Sequence, residues 1–140
     1  MSESRVRVMV ILRAALLVDA AVFLSAALLN FGAKIPLGFT ELYFPVAIWQ
    51  AGTGEAVIGL ALLAAALTGR SALAWAAFGL SVVGIAFGLS SARVQGPARD
   101  IHIVLVPLAV VIFGLLLWVR QQRLRVRAEV SRPSMDSMEG

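Results

Sequence analysis

The sequence predicts an all-α integral membrane protein, an antiparallel four-helix bundle with both termini cytoplasmic. Three observations predict it. Of the 140 residues, 60% are hydrophobic and only 14% are charged, and the mean hydropathy of +0.91 lies outside what a water-exposed surface tolerates. The apolar residues gather into four stretches, each long enough to cross a hydrocarbon core about 30 Å thick. The basic residues gather at the ends of those stretches.

The first span is read over 8–29, entered through a polar segment and left at Asn30-Phe31-Gly32. Its apolar run is too long for a secretory signal and carries Arg13 and Asp19, so it reads as an uncleaved helix. Residues 33–43 mix Lys34, Pro36, Gly38 and Glu41 with apolar side chains, which suits an interfacial loop over one mouth of the bundle. A second span is read over 44–67, with Pro45 in its first turn, where a missing N–H costs little. Thr68-Gly69-Arg70-Ser71 makes a tight turn. The third span covers 72–91, a turn with Gly96-Pro97 follows, and the fourth covers 101–119. A basic helical extension begins at Arg120; the transmembrane domain is placed at 1–128 and a disordered polar tail at 129–140.

Nine of the twelve basic residues fall at the N-terminus, including Arg13, in the Arg70 turn, or in the C-terminal tail. The positive-inside rule then makes that side cytoplasmic, with Lys34, Arg93 and Arg99 on the other side. Trp75 and Trp118 fall near inner span ends, and Tyr43 and Trp49 near the outer end of span two, as aromatic belts would. The net charge of +4 has no interleaved stacking aromatics, so anionic headgroups rather than nucleic acid are the expected counter-charge.

Asp19 and Glu55 each lie eleven residues past the predicted start of their span, roughly 16 Å in, which is near the midplane. An ionisable group there marks a site, a proton path or an inter-helix contact. If their faces meet, two carboxyls at one depth in low dielectric would share a proton. The alternative is that each simply ties helices together. Arg13 stands about 120° around the helix from Asp19, so it reaches an acid on another helix or snorkels to the inner headgroups.

Small residues mark close helix approach. Ala51, Glu55 and Gly59 recur at four-residue spacing beside Gly52, and Gly84-Ile-Ala-Phe-Gly88 is a GxxxG element that Ala76 and Gly79 extend. These speak for packing rather than chemistry. His102, the sole histidine, is placed at the outer mouth with Asp100, Arg99 and Arg93, either as a ligand-contacting group or as an interfacial anchor. Arg120, Arg123, Arg125 and Arg127 read as a headgroup anchor, with a partner-docking helix as the alternative.

Several chemistries are excluded. Cysteine is absent, which removes disulfide exchange, thiol catalysis and thiolate metal sites. One histidine cannot give two-histidine haem ligation. Gly52-Thr-Gly-Glu55 lies inside a span, where it cannot cradle a nucleotide. No catalytic set, metal-ligand spacing or cofactor motif is present in the chain.

The run Gly54-Glu55-Ala-Val-Ile-Gly59-Leu-Ala-Leu-Leu, followed by Gly69-Arg70-Ser-Ala-Leu-Ala, resembles the second span of DoxX-like membrane proteins, and Arg13 matches an arginine entering their first span. The likeness covers about the first ninety residues; Asp19 and the position of Lys34 depart from it. It implies a four-helix subunit or accessory protein of a membrane complex, often linked to redox or quinone chemistry, with no catalytic residue. The expectation is therefore a non-enzymatic, multi-pass cell-membrane protein. It would bind a quinone, another apolar molecule or a lipid near Glu55, Asp19 and Arg13, and associate with other membrane subunits or itself. A proton-coupled small transporter using Asp19 and Glu55 and a purely structural scaffold are the alternatives. Small four-span multidrug exporters also carry a glutamate within a span, but they work as antiparallel dimers, and the strong charge bias here favours one fixed orientation.

Overall fold

A computed structural model describes residues 3–36, 38–44, 47–91 and 96–130. It is all-helical apart from one small hairpin. Helices α1 (Glu3–Asn30), α2 (Trp49–Thr68), α3 (Ser71–Ser90) and α4 (Pro97–Val130) are each long and apolar enough to cross a membrane. Each helix packs mainly on two neighbours, in the cyclic order α1, α2, α3, α4 and back to α1. Phe23, Leu16, Leu62, Leu105, Ile112 and Leu116 fill the shared core.

The helix ends differ from the predicted ones. Helix α2 starts at Trp49 rather than at residue 44; a residue before proline is biased toward extended backbone, and Phe44 lies outside any helix. Pro45 itself is outside the described residues, as are Arg93 and the tail from 131. Helix α4 is continuous through Pro107 and spans 34 residues, about 51 Å at 1.5 Å per residue. The predicted basic extension is thus an unbroken part of the fourth helix. The turn at Gly69 forms as its sequence requires: Gly69 caps α2 at φ 65° and ψ 13°, donating its N–H to the Ala65 carbonyl, a left-handed conformation natural to glycine.

The predicted interfacial loop holds a structured element. Strands β1 (Ile35–Pro36) and β2 (Glu41–Leu42) pair antiparallel, Ile35 opposite Leu42. Lys34 Nζ sits 3.6 Å from Glu41 Oε2 and 5.9 Å from the Tyr43 ring centroid. Strands of two residues carry no alternation a sequence pattern can reveal.

Helix α2 approaches α1 closely at its glycines. A Cβ at Gly52 would come within 2.8 Å of the Phe31 ring, and one at Gly59 within 2.7 Å of Leu24 Cγ and 3.2 Å of the Ala20 carbonyl. The GxxxG pair of α3 serves two different neighbours. A Cβ at Gly84 would meet Ile58 at 2.6 Å and the Phe23 ring at 3.1 Å, while one at Gly88 would meet the His102 ring at 2.1 Å. Ala76 and Gly79, expected to extend the contact, are exposed, and nothing lies within 4 Å of a Cβ at Gly79. Beyond them, Trp75, Phe78 and Phe113 tie α3 to α4; Phe78 stacks on Phe113 at 5.9 Å, and Trp75 meets Phe113 edge-on at 6.1 Å.

These contacts separate two kinds of glycine. Gly59→Val should force α1 and α2 apart, losing about 1–3 kcal/mol as overpacking does and lowering the melting temperature in detergent. Gly79→Ala should hold or raise it, since alanine in an open helical position gains about 0.5–1 kcal/mol over glycine. Equal melting temperatures for Gly59→Val and the parent would rule out this helix contact.

Candidate functional site

Among the described residues, five polar or charged side chains are buried: Asp19, Asn30, Glu55, Ser81 and His102. Unpaired polar groups in apolar surroundings cost several kcal/mol, so their partners define what each can do.

Glu55 is anchored by a residue whose role the sequence reading missed. Asn30 Nδ2 donates to Glu55 Oε2 at 2.8 Å. Asn30 is the last residue of α1, where the first span is expected to end, and it is buried. It stands on the stripe Asp19, Phe23, Ala26, Ala27, Asn30, whose spacing of three and four residues was visible in the sequence. The Gly52 contact brings this end of α1 against α2, and Phe31 on Trp49, at 5.2 Å between ring centroids, closes the same junction.

The late start of α2 changes the position of Glu55 along its helix. Glu55 lies six residues past Trp49, about 9 Å into the helix, rather than eleven residues into its span. Asp19 lies eleven residues before Asn30, about 16 Å farther along α1. The two carboxyls therefore occupy different levels and have different partners. Asp19 instead accepts from Ser81 Oγ at 2.9 Å. Its Oδ1 has no hydrogen-bond partner. Ser81 lies on the buried α3 stripe Ala74, Ala77, Ser81, Ile85, Gly88, a second partner that spacing alone could have located.

The expected outer-mouth cluster also divides. Asp100 and Arg99 are exposed, and Arg93 falls outside the described residues. His102 turns inward and is 6% exposed. Its Nδ1 lies 2.7 Å from the Ala98 carbonyl; a carbonyl can only accept, so Nδ1 carries the proton. The ring packs on the side-chain-free surface of Gly88, leaving Nε2 on that side.

Glu55, Asn30 and His102 line one cavity of about 640 Å³ between α2, α3 and the start of α4. Its remaining walls are mainly apolar and include Val57, Val83 and Phe87, all three exposed to the surroundings. The space is a groove with exposed apolar sides and a polar end. Its volume is within the range of small-molecule sites, which pair apolar walls with a few placed polar groups. Asp19 does not line it.

Arg13 is exposed and does not pair with Asp19. It crosses to the α2 terminus, where a Cβ at Gly69 would come within 2.5 Å of its Nη2. No group of three or more histidine, cysteine or acidic residues that could hold a metal occurs among the described residues. The helices and the groove define a multi-pass membrane protein with a polar-ended lateral cleft. No protein-family model, no curated protein and no solved structure matches the chain.

Ser81→Ala removes the one hydrogen-bond donor to Asp19 found among the described residues and should cost about 1–3 kcal/mol, read as a lower melting temperature. In an Asp19→Leu background the same change should cost much less. Equal penalties in both backgrounds would dissociate Ser81 from Asp19.

Proposed function

We propose that this chain is a non-enzymatic subunit or accessory protein of a cell-membrane complex, and that it binds an amphiphilic apolar molecule, a quinone or a lipid, in the groove beside Glu55. The observation that carries the proposal is the union of three buried polar side chains with exposed apolar walls in a single cleft. The second amide hydrogen of Asn30 and the ring of His102 are suited to a carbonyl or hydroxyl head, and Val57, Val83 and Phe87 to an apolar tail. Glu55 orients Asn30 through the 2.8 Å bond. Asp19 and Ser81 belong to the packing of α1 on α3. The transporter alternative needs the two acids to act as a pair; their separate partners, Asn30 and Ser81, favour the ligand-binding reading.

The proposal includes an antiparallel bundle with both termini cytoplasmic. The charge distribution supports this, as does the contact of Gly52, Gly59 and Gly69 with successively earlier residues of α1. A DoxX-like affiliation is part of the same reading. Two positions on which that resemblance rests, Glu55 and Gly59, both face α1.

Two experiments test it. Glu55→Gln should weaken binding of a short-chain quinone or lipid analogue by about tenfold, the loss of one charge-assisted hydrogen bond, and should reduce co-purification of partner subunits. Retention of both by the variant removes the case for this site. The chain lacks cysteine, so single cysteines report sidedness. Thr40→Cys should react with an impermeant maleimide added to intact cells, and Ala128→Cys only after permeabilisation. The reverse pattern overturns the orientation.

A further inference from the structure

The far end of the bundle from Glu55 carries a second cavity with the opposite electrostatics. It measures about 270 Å³ and is lined by Arg13 of α1, Ser71 and Trp75 of α3, and Arg120, Arg123 and Arg127 of α4. Its floor is apolar and includes Leu12, Leu16, Ala65 and Leu116. Arg120, Arg123 and Arg127 recur at spacings of three and four residues, which places them on one face of α4. Arg125 stands about 140° round the helix from Arg120 and does not line the cavity.

Four arginines line this cavity, and among the described residues no acid does. The ion pairs found among the described residues, Arg7 with Glu3 and Lys34 with Glu41, lie elsewhere. Arg123 is held in place by donating from Nη1 to Ser71 Oγ at 2.7 Å. Arg13 is seated over Gly69, a position where any side chain would collide with its guanidinium. All four arginines are exposed at this end of the bundle, and one of them, Arg123, is tied to another helix through Ser71. Arg120 follows directly on the apolar stretch that ends at Val119, which puts the cluster at the depth of lipid headgroups.

We infer that this cavity is a binding site for a phosphate-bearing anion, with the guanidinium groups of Arg13, Arg120, Arg123 and Arg127 around the phosphate oxygens and the apolar floor beneath it. Guanidinium forks match phosphate oxygens in charge and geometry. The leucine and alanine floor accommodates the first carbons of an acyl chain, so the headgroup of an anionic phospholipid uses the whole cavity, whereas a free phosphate uses only its rim. The site is independent of the groove at Glu55. It also differs from a diffuse basic anchor, because residues of all four helices line it and Arg125 is left out.

Trp75 lines the cavity and serves as a reporter. The full-length chain with Trp49→Phe and Trp118→Phe, in a mild non-ionic detergent, is titrated with dioctanoyl phosphatidylglycerol, inorganic phosphate and dioctanoyl phosphatidylcholine. A saturable fluorescence response to phosphatidylglycerol or phosphate, with none to phosphatidylcholine, is expected. Saturation by the lipid alone assigns a headgroup, and equal saturation by inorganic phosphate assigns the free ion. Arg123→Gln and, on a different helix, Arg13→Gln should each weaken binding about tenfold, as loss of a charge-assisted contact does. Arg125→Gln, with the same change in net charge, should leave it unaltered. Equal weakening by Arg125→Gln, or no saturation by either anion, overturns the inference.

Discussion

The close approach of α2 to α1 at Gly52 and Gly59 is the contact on which the rest of the structure depends. Lipid tails are as apolar as the helices, so no hydrophobic gain drives helices together within a bilayer; backbone proximity and dispersion must do so. Two positions without side chains permit that proximity, and Leu24, Phe31 and the Ala20 carbonyl occupy the space. The register so defined sets Asn30 on Glu55. A slip of one turn would separate donor from acceptor and leave both in apolar surroundings, a penalty of several kcal/mol. Packing and polar pairing therefore select the same register.

From this pair of helices the polar groups sort by level. The Asp19 and Ser81 bond joins α1 to α3 within the core and is enclosed on all sides. Toward one end, Glu55, Asn30 and His102 border an open groove. Toward the other, arginines from α1 and α4 border a smaller cavity. The acid most deeply embedded in the bundle is thus the one without access to either cavity. Burial alone is a poor guide to function here, and the groups best placed to meet a ligand are those at the two ends.

Gly88 shows how one small residue changes what its neighbour can do. With any side chain at that position the His102 ring could not lie where it does, and the histidine would be turned toward the surroundings beside Asp100 and Arg99. Instead the ring is buried, with Nδ1 held by the Ala98 carbonyl. The GxxxG element accordingly acts less as a helix-dimer seam than as two sockets, one for Ile58 and Phe23 and one for His102.

The sequence by itself determined the class of protein, the four helices, the Gly69 turn and the basic character of the chain beyond Val119. Each of these follows from local composition, because twenty apolar residues in a row, a glycine after a helix and a run of arginines carry their meaning without a partner. It also pointed to Asp19, Glu55 and His102 as the groups to follow. What only the tertiary structure decided was the company they keep: Asn30 for Glu55, Ser81 for Asp19, Gly88 for His102, and Arg13 with the arginines of α4. The stripes carrying Asn30 and Ser81 could be read from spacing, but not which helix each stripe would meet. The position of Glu55 along its helix differs from the expected one because apolar content set the start of the second span at residue 44, whereas backbone conformation starts α2 at Trp49. Hydropathy measures what a segment tolerates around it; the level of a side chain depends on where its helix begins and on which neighbour's small residues let it dock.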